Sequence, residues 1–270
     1  MNAEQLIDTR QAFDSVAETY DGLLGNNSLV QSVRERTLAE VRRRVPPGAT
    51  LLDLGCGTGL DAASLGQQGY RVTAIDWSPE MVRRTQERAI RVGLDRVLAV
   101  HHLGIHELDR LPVADFDAAY SDLGSLNCVP ELAVAALAIA ARLRPRGLLV
   151  ASVIGRFCPW ELALFALKRQ WRQARRRAAK GAVPVPLNGR TVWTSYYSPA
   201  EFRSAFENVG FTLRSLRSLG LLAPPPYMLA FAQRHPRAVA MLQALEDRVA
   251  GWPGLRGWGD HFLIVMRRRG

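Results

Sequence analysis

Five glycine and acidic residues have the types and spacing to bind a nucleotide-like ligand. The run Asp53-Leu54-Gly55-Cys56-Gly57-Thr58-Gly59 joins a short apolar stretch to a helical pattern, and its glycines allow a tight turn and close approach of a ligand. Asp76 lies 17 residues after Gly59, at the end of the next apolar stretch, where a carboxylate can accept both hydroxyls of a ribose. A plain strand-to-helix turn would explain the glycines but would not require Asp76.

The spacing distinguishes between two nucleotide-type ligands. A dinucleotide would need its third glycine one position later, where Leu60 stands, and the carboxylate of Asp53 would repel its pyrophosphate. An acidic residue at this strand end is suited instead to orienting an ammonium group, through backbone amides or water. S-adenosylmethionine carries an adenosine at one end and an amino acid at the other, and therefore fits both acidic positions.

These segments resemble motif I and the following acidic strand end of class I S-adenosylmethionine-dependent methyltransferases, in the UbiE-like small-molecule branch. The matching segments are Leu51–Gly59, Ala74–Met81, Phe116–Ser121 and Leu143–Leu149. The resemblance covers Thr50–Ile154 well and Ser198–Met266 in outline.

The resemblance implies roles for individual residues. Gly55, Gly57 and Gly59 would pack under the methionine part of the cofactor, and Asp76 would hold the ribose. The family often has an acidic residue where Gly104 stands, so the backbone there would meet the adenine amino group instead. The further cofactor contacts implied are Tyr20 and Asp53 at the methionine end, Trp77, Met81, Gly104 and Ile105 around the adenine, and Ser121 near the sulfonium.

Catalytic candidates are few because a sulfonium already activates the methyl group for transfer, and a base is needed only if the acceptor must lose a proton. Asp122 follows the fourth strand as a candidate base, with a turn or helix cap as its alternative role. Tyr196 and Tyr197 are candidates to line the acceptor pocket. Adjacent histidines on a strand point to opposite faces, so His101 and His102 do not predict a metal site, and none is expected.

The elements that must position these residues alternate along the chain. Apolar strand patterns at Thr50–Leu54, Arg71–Ile75, Val97–Val100, Phe116–Tyr120 and Leu148–Ile154 are separated by helical patterns. Later strands are predicted at Phe211–Leu219 and His261–Met266. This alternation predicts an α/β fold with a doubly wound, mostly parallel, seven-stranded Rossmann-like sheet.

Two stretches interrupt the alternation and are predicted to be helical caps over the ligand edge of the sheet. One domain is expected over 1–270, divided into an N-terminal helical cap (1–48), a cofactor-binding core (49–154), a first cap insertion (155–197), further core (198–219), a second cap insertion (220–258) and a final strand (259–270). The prolines of Val183–Leu187 and Pro224–Tyr227 are expected to form stiff walls of a pocket.

The first cap combines aromatic residues with a basic end that includes Lys168, Arg172 and Lys180. It could pack on the sheet with a solvated tail, bind an anionic or amphipathic acceptor, or contact an anionic lipid surface. The formal net charge is +10, but all but two of the 35 basic residues are arginines, a bias that genome composition can also produce. Three scattered cysteines and the lack of an apolar leader favour a cytoplasmic protein.

These observations predict methyl transfer to a small, partly apolar acceptor such as a natural product, quinone or lipid intermediate. A nucleic-acid methyltransferase is the main alternative, favoured by charge, but the segment after the fourth strand is Ser121-Asp122-Leu123-Gly124 rather than an Asn/Asp-Pro-Pro-Tyr type. A protein that binds the cofactor without transferring methyl, such as a regulator or a cyclase-like scaffold, also remains open.

Overall fold

The computed structural model describes residues 1–23 and 25–270. Its nine strands are β1 (Thr50–Leu54), β2 (Arg71–Asp76), β3 (Leu98–His102), β4 (Phe116–Ser121), β5 (Leu143–Ile154), β6 (Ala182–Leu187), β7 (Arg190–Ser195), β8 (Phe211–Leu219) and β9 (His261–Arg268). Its helices are α1 (Ala3–Val16), α2 (Ser28–Arg44), α3 (Leu60–Gln67), α4 (Pro79–Arg91), α5 (Leu132–Arg142), α6 (Pro159–Leu167), α7 (Trp171–Ala174), α8 (Pro199–Glu207), α9 (Leu229–Arg234) and α10 (Pro236–Val249).

Seven strands form one sheet in the order β3-β2-β1-β4-β5-β9-β8. Strands β1 to β5 are parallel, whereas β9 runs antiparallel to both of its neighbours. This confirms the predicted doubly wound, mostly parallel sheet. The strand order reverses between β1 and β4, and a ligand crevice is expected beyond their carboxyl ends.

The sheet separates two apolar cores because neighbouring side chains on a strand point to opposite faces. Leu52 and Leu54 face a core shared with α5 and α8, and Leu51 faces the core under α2 and α3. In the first core the rings of Phe202 and Phe206 stack with centroids 4.8 Å apart. Burying each of these side chains stabilises the fold by about 1.5–3 kcal/mol.

The first cap insertion differs from the helical cap that the sequence predicts. It contains the two short helices α6 and α7 and then an antiparallel hairpin, β6–β7. The hairpin turns at Asn188-Gly189, where φ is +48° and +73°, as a type I′ turn requires. Asn-Gly between apolar strands is a strong hairpin signal, so the hairpin could have been predicted from these two residues.

The N-terminal helix α1 and the hairpin β6–β7 pack against each other over the carboxyl ends of the parallel strands. We call these two elements the cover. The Trp193 indole donates to Asp8 Oδ2 at 3.1 Å, and the Trp193 backbone N–H donates to Thr9 Oγ1 at 3.0 Å. Segments more than 180 residues apart in sequence therefore form one wall.

Candidate active site

A cavity of about 350 Å³ lies between the cover and the carboxyl ends of β1, β2 and β4. This volume lies within the usual range of small-molecule sites. The sequence-predicted residues that line it are Tyr20, Asp53, Gly55, Gly57, Asp76, Trp77, Met81, Gly104, Ile105 and Asp122. Residues predicted from scattered motifs are thus brought to one site.

The glycine turn after β1 leaves no room for side chains. Gly55 has φ of +86°, and a Cβ added there would lie 2.5 Å from Ser125 Oγ. Gly59 has φ of +77° and precedes α3, and its added Cβ would lie 2.6 Å from Thr85 Cγ2. Gly59 does not line the cavity, so it allows the close packing of α3 and α4 rather than a direct ligand contact.

Asp76 is held by two backbone donors at the end of β2. The Gly57 N–H donates to Oδ2 and the Ser78 N–H donates to Oδ1, both at 2.9 Å. Each carboxylate oxygen retains one lone pair for a further donor. Burial raises the pKa of Asp76 to about 6, while these two hydrogen bonds act in the opposite direction.

Asp53, Asp61 and Arg34 form a charged wall of the cavity. Asp53 is buried and accepts the Tyr120 hydroxyl on Oδ2 at 2.7 Å, and burial raises its pKa well above the ordinary value. Arg34 Nε lies 3.3 Å from Asp61 Oδ1. Burial and the nearby charge of Asp122 raise the pKa of Asp61 to about 7, against the lowering effect of Arg34.

Tyr20 is a wall residue between this charged group and the glycine turn. A Cβ added at Gly57 would come within 3.9 Å of its ring. Burial raises the pKa of Tyr20 to about 12, so its hydroxyl is neutral and can both donate and accept a hydrogen bond.

Asp122 follows β4 and is only 7% exposed. Its Oδ1 accepts the Thr37 hydroxyl at 2.8 Å and the Ser152 hydroxyl at 2.6 Å. Its Oδ2 is buried and has no hydrogen-bond partner in the part of the chain that the structure describes.

An aromatic corner lies at the opposite end of the cavity. The Arg10 guanidinium stands 5.8 Å above the centre of the Trp77 ring, and the His106 ring meets Trp77 edge-on at 4.8 Å. The His106 ring leaves no room for a side chain at Gly104, since an added Cβ would lie 2.3 Å from that ring. The corner therefore offers an aromatic ring and a glycine backbone to a ligand.

Three sequence-predicted residues lie outside the cavity wall, in addition to Gly59. Ser121 is fully buried, because it points to the opposite side of β4 from Asp122. Tyr196 is 4% exposed and lies against Arg177, whose guanidinium is 5.2 Å from the ring centre. Tyr197 packs on Phe202 in the core. The expectation that Tyr196 or Tyr197 lines the acceptor pocket is therefore corrected.

The histidines do not converge on a metal site within residues 1–23 and 25–270. His102 Nε2 contacts the Trp77 carbonyl at 3.0 Å, and His106 packs on the Trp77 ring. Potential ligands do meet at Cys158, Glu161 and Asp260, but the Arg177 guanidinium bonds to both carboxylates. Arg177 supplies the positive charge there.

The comparisons with known proteins agree with this geometry. A family described as a methyltransferase domain matches residues 30–216. A ubiquinone biosynthesis O-methyltransferase of Xylella fastidiosa (strain 9a5c) is 31% identical over 183 residues, covering 66% of this chain and 68% of that protein. The chain belongs to the class I S-adenosylmethionine-dependent methyltransferases and is UbiE-like.

Solved structures support the methyltransferase fold. The 1,6-didemethyltoxoflavin-N1-methyltransferase of Burkholderia thailandensis, with bound substrate and S-adenosylhomocysteine, has a TM-score of 0.61, 19% identity, and coverage of 100% of this chain and 92% of its own. The [4+2]-cyclase SpnF has a TM-score of 0.62, 18% identity, and coverage of 96% and 95%. At these identities the likeness concerns the fold alone.

S-adenosylmethionine is the cofactor of this methyltransferase. The residues present fit it, since Asp76 keeps two free lone pairs and the turn at Gly55 and Gly57 exposes backbone without side chains.

Among the described residues of this methyltransferase, no helix is both long and apolar enough to cross a bilayer.

Sequence reasoning missed several polar residues around the cavity of this methyltransferase, among them Arg10, Arg34, Thr37, Asp61 and Ser152. Asp61 had a signal, since it is an acidic residue in the first turn of the helix after the glycines. Arg34 looks like the other arginines of an amphipathic helix. Thr37 and Ser152 point inward only because α2 and β5 meet behind β4, which no local pattern shows.

Proposed function

We propose that the chain transfers a methyl group from S-adenosylmethionine to a small, partly apolar acceptor held between the cofactor and the cover. The observation that carries this is the apolar lining of the cover, which includes Leu6, Phe13, Val185, Leu187 and Val192. The cavity is also closed on this side by packed elements, which suits a compact acceptor better than a nucleic-acid strand. The Xylella relative's ubiquinone-related name is consistent with an acceptor of this kind.

The cofactor is assigned to the strand-end side of the cavity, where its adenine end would also meet the cover, since Arg10 of α1 lies over Trp77. Asp76 would accept the ribose hydroxyls, and the corner formed by Trp77, Met81 and Gly104 would take the adenine. Arg34 and Asp61 carry opposite charges and would hold the carboxylate and ammonium of the methionine part. When bound, the cofactor supplies an electrophilic methyl group on a positively charged sulfur.

The cover contributes to the rate by orientation and by excluding water. Two reactants held in line react as one molecule, and a dry site strengthens every electrostatic contact in it. Trp193 supports this role because both its side chain and its backbone tie the hairpin to α1.

The function is tested by calorimetry followed by product analysis. Titration with S-adenosylmethionine and S-adenosylhomocysteine should show one site per chain, with affinity at least tenfold weaker in Asp76→Ala. Incubation with the cofactor and a pool of phenols, quinols, amines and lipid amines should then yield S-adenosylhomocysteine together with one methylated product. Cofactor binding without turnover on any pool would favour the non-methylating alternative, and methylation of added RNA or DNA alone would favour the nucleic-acid alternative.

A second role, contact with an anionic lipid surface, is favoured by the outer side of the first cap. Leu167 is 85% exposed and Trp171 is 59% exposed, and they flank the exposed bases Lys168 and Arg169. Apolar side chains enter a bilayer interface while neighbouring cations meet its anionic head groups. We propose that this surface brings the protein to membranes that hold an apolar acceptor.

Vesicle sedimentation tests the lipid contact. The protein should sediment with phosphatidylglycerol vesicles more than with phosphatidylcholine vesicles, and Trp171→Ser should reduce the difference at least threefold. The control is Leu137→Ser on α5, which also removes an exposed apolar side chain, 62% exposed, away from the cap. Equal binding to both lipids, or equal effects of the two substitutions, would show that this surface is only solvated.

A further inference from the structure

Asp122 is held by hydroxyls from two other elements of the fold. Thr37 reaches it from α2 and Ser152 from β5, and both side chains are fully buried. Each hydroxyl has a single hydrogen to donate, and both donate it to the same oxygen, Oδ1. Two donors on one carboxylate oxygen fix the plane of the group.

The backbone after Asp122 is built around the same contact. Ser152 Oγ also accepts the Leu123 backbone N–H at 2.7 Å, so this hydroxyl holds both the side chain of Asp122 and the next peptide. Leu123 has φ of +51°, a left-handed conformation that a leucine rarely adopts, and Gly124 follows at +84°. Strain of this kind persists where surrounding contacts enforce it, often at functional sites.

The second carboxylate oxygen of Asp122, Oδ2, receives no hydrogen bond from the described residues. Oδ2 is buried and unpaired within the described part of the chain, although Asp122 lines the cavity. A buried acceptor without a partner is unfavourable. A turn cap would accept a backbone N–H from a following residue, whereas within the described chain the Asp122 carboxylate accepts only two hydroxyls and keeps Oδ2 for a donor that arrives with a ligand.

We propose that Asp122 Oδ2 accepts the hydrogen of the acceptor's reacting group, and that Thr37 and Ser152 are positioning residues for it. This inference rests on the proposed methyl transfer and narrows its acceptor to a molecule with an O–H or N–H nucleophile. The acceptor's oxygen or nitrogen bonds to the methyl carbon, its proton passes to Oδ2, and the electron pair of the broken carbon–sulfur bond stays on sulfur. The protonated carboxyl then releases its proton to water.

Two cofactor analogues test the placement without knowledge of the acceptor. S-adenosylhomocysteine lacks the transferable methyl, whereas sinefungin carries an ammonium group at that place. If Oδ2 faces the reacting group, Asp122→Asn should weaken sinefungin binding at least tenfold in calorimetry. The affinity for S-adenosylhomocysteine should change less than twofold. Equal losses for both would mean that Asp122 holds the methionine ammonium, and no loss for either would leave it structural; both results overturn the proposal.

Variants of the two hydroxyls test the positioning role. Thr37→Val and Ser152→Ala should each weaken sinefungin binding about threefold to fivefold and leave the affinity for S-adenosylhomocysteine unchanged. Thr37→Ser, which keeps the hydroxyl, should bind sinefungin with wild-type affinity. Ser218→Ala is the matched control, since Ser218 is a fully buried strand serine that bonds to Ala250 rather than to the cavity. If Asp61→Asn, but not the Asp122 set, weakened sinefungin binding and left S-adenosylhomocysteine binding unchanged, the additional ammonium of sinefungin would lie at Asp61 and the assignment would be refuted.

The control measurement separates this inference from the proposed function. Retained binding of S-adenosylhomocysteine shows that each variant is folded with an intact cofactor half. Failure of the wild-type protein to bind either analogue would refute the proposed function itself, whereas an altered pattern among the variants bears on Asp122 alone.

Discussion

Arg177→Met should be the most destabilising single substitution of a charged residue in the first cap. Arg177 is buried and donates to Glu161 Oε2 at 2.8 Å, to Asp260 Oδ1 at 2.5 Å, and to the carbonyls of Gly155 and Asp260 at 3.0 and 2.9 Å. Methionine fills a similar volume but removes the cation that two buried carboxylates share, so within the described chain Glu161 keeps only Arg176 and Asp260 keeps only His261 as a basic partner. Removing one partner of such a buried group costs about 3–5 kcal/mol, which for a chain of this size is roughly 6–20 °C in Tm.

The loss of stability in Arg177→Met should depend on pH. Arg177 and His261 hold the pKa of Asp260 below its ordinary value against the opposing effect of burial, so the ionised group stabilises the wild-type fold above that ordinary value. This stabilisation is lost only as the pH falls through the lowered pKa. In Arg177→Met the carboxylates can be neutralised by protons instead, so the difference in stability between wild type and variant should shrink from pH 7 to pH 4.5.

The assay is thermal and urea unfolding at both pH values, followed by circular dichroism. Arg175→Met is the matched control, because Arg175 lies two residues earlier and its side chain is exposed; its effect should stay within about 0.5 kcal/mol. A loss below about 1 kcal/mol for Arg177→Met, or a larger loss at pH 4.5 than at pH 7, would refute this account of the network.

Three further substitutions probe the cavity. Asp76→Ala should weaken binding of S-adenosylmethionine at least tenfold in calorimetry, as about 1–3 kcal/mol per charge-assisted contact implies. The affinity of the wild-type protein should fall as the pH is lowered through about 6, where Asp76 gains a proton. Gly55→Ala should cost about 1–3 kcal/mol more in urea unfolding than Gly48→Ala, because both glycines have positive φ but only the Cβ at Gly55 would meet Ser125. Trp193→Phe removes the indole donor that ties the hairpin to α1, so stopped-flow measurements should show faster dissociation of S-adenosylhomocysteine; an unchanged rate would contradict the role of the cover.

The parts of the fold that follow local rules were predictable. Adjacent residues of β1, such as Leu51 and Leu52, are both buried because both faces of the sheet are covered, and the glycines between β1 and α3 mark where the backbone must turn. The cofactor half of the cavity depends on these same short segments. Its residues from Asp53 to Gly57 and at Asp76 could therefore be placed from sequence alone.

The residues that were mispredicted depend on contacts between distant segments. Tyr196 and Tyr197 follow the hairpin in sequence, but Tyr196 lies against Arg177 and Tyr197 against Phe202. Their direction was decided by a buried ion pair and by α8, neither of which leaves a pattern near residue 196. The hairpin is a different case. Its Asn188-Gly189 turn signal is local, so this element was missed although the sequence contained the pattern that predicts it.

The two halves of the cavity therefore respond differently to sequence change. The cofactor half is made by strand ends whose positions are fixed by the sheet, whereas the acceptor half is made where α1 meets β7, through few side-chain contacts such as Trp193 with Asp8. Substitutions in the cover can reshape the acceptor space without moving Asp76 or the glycine turn. Asp122 stands between the halves because it follows a sheet strand, so the group that meets the acceptor's proton stays fixed while the apolar wall varies. Acceptor shape should thus change readily in this fold, and the requirement for an O–H or N–H nucleophile should change only when Asp122 or its two hydroxyl donors change.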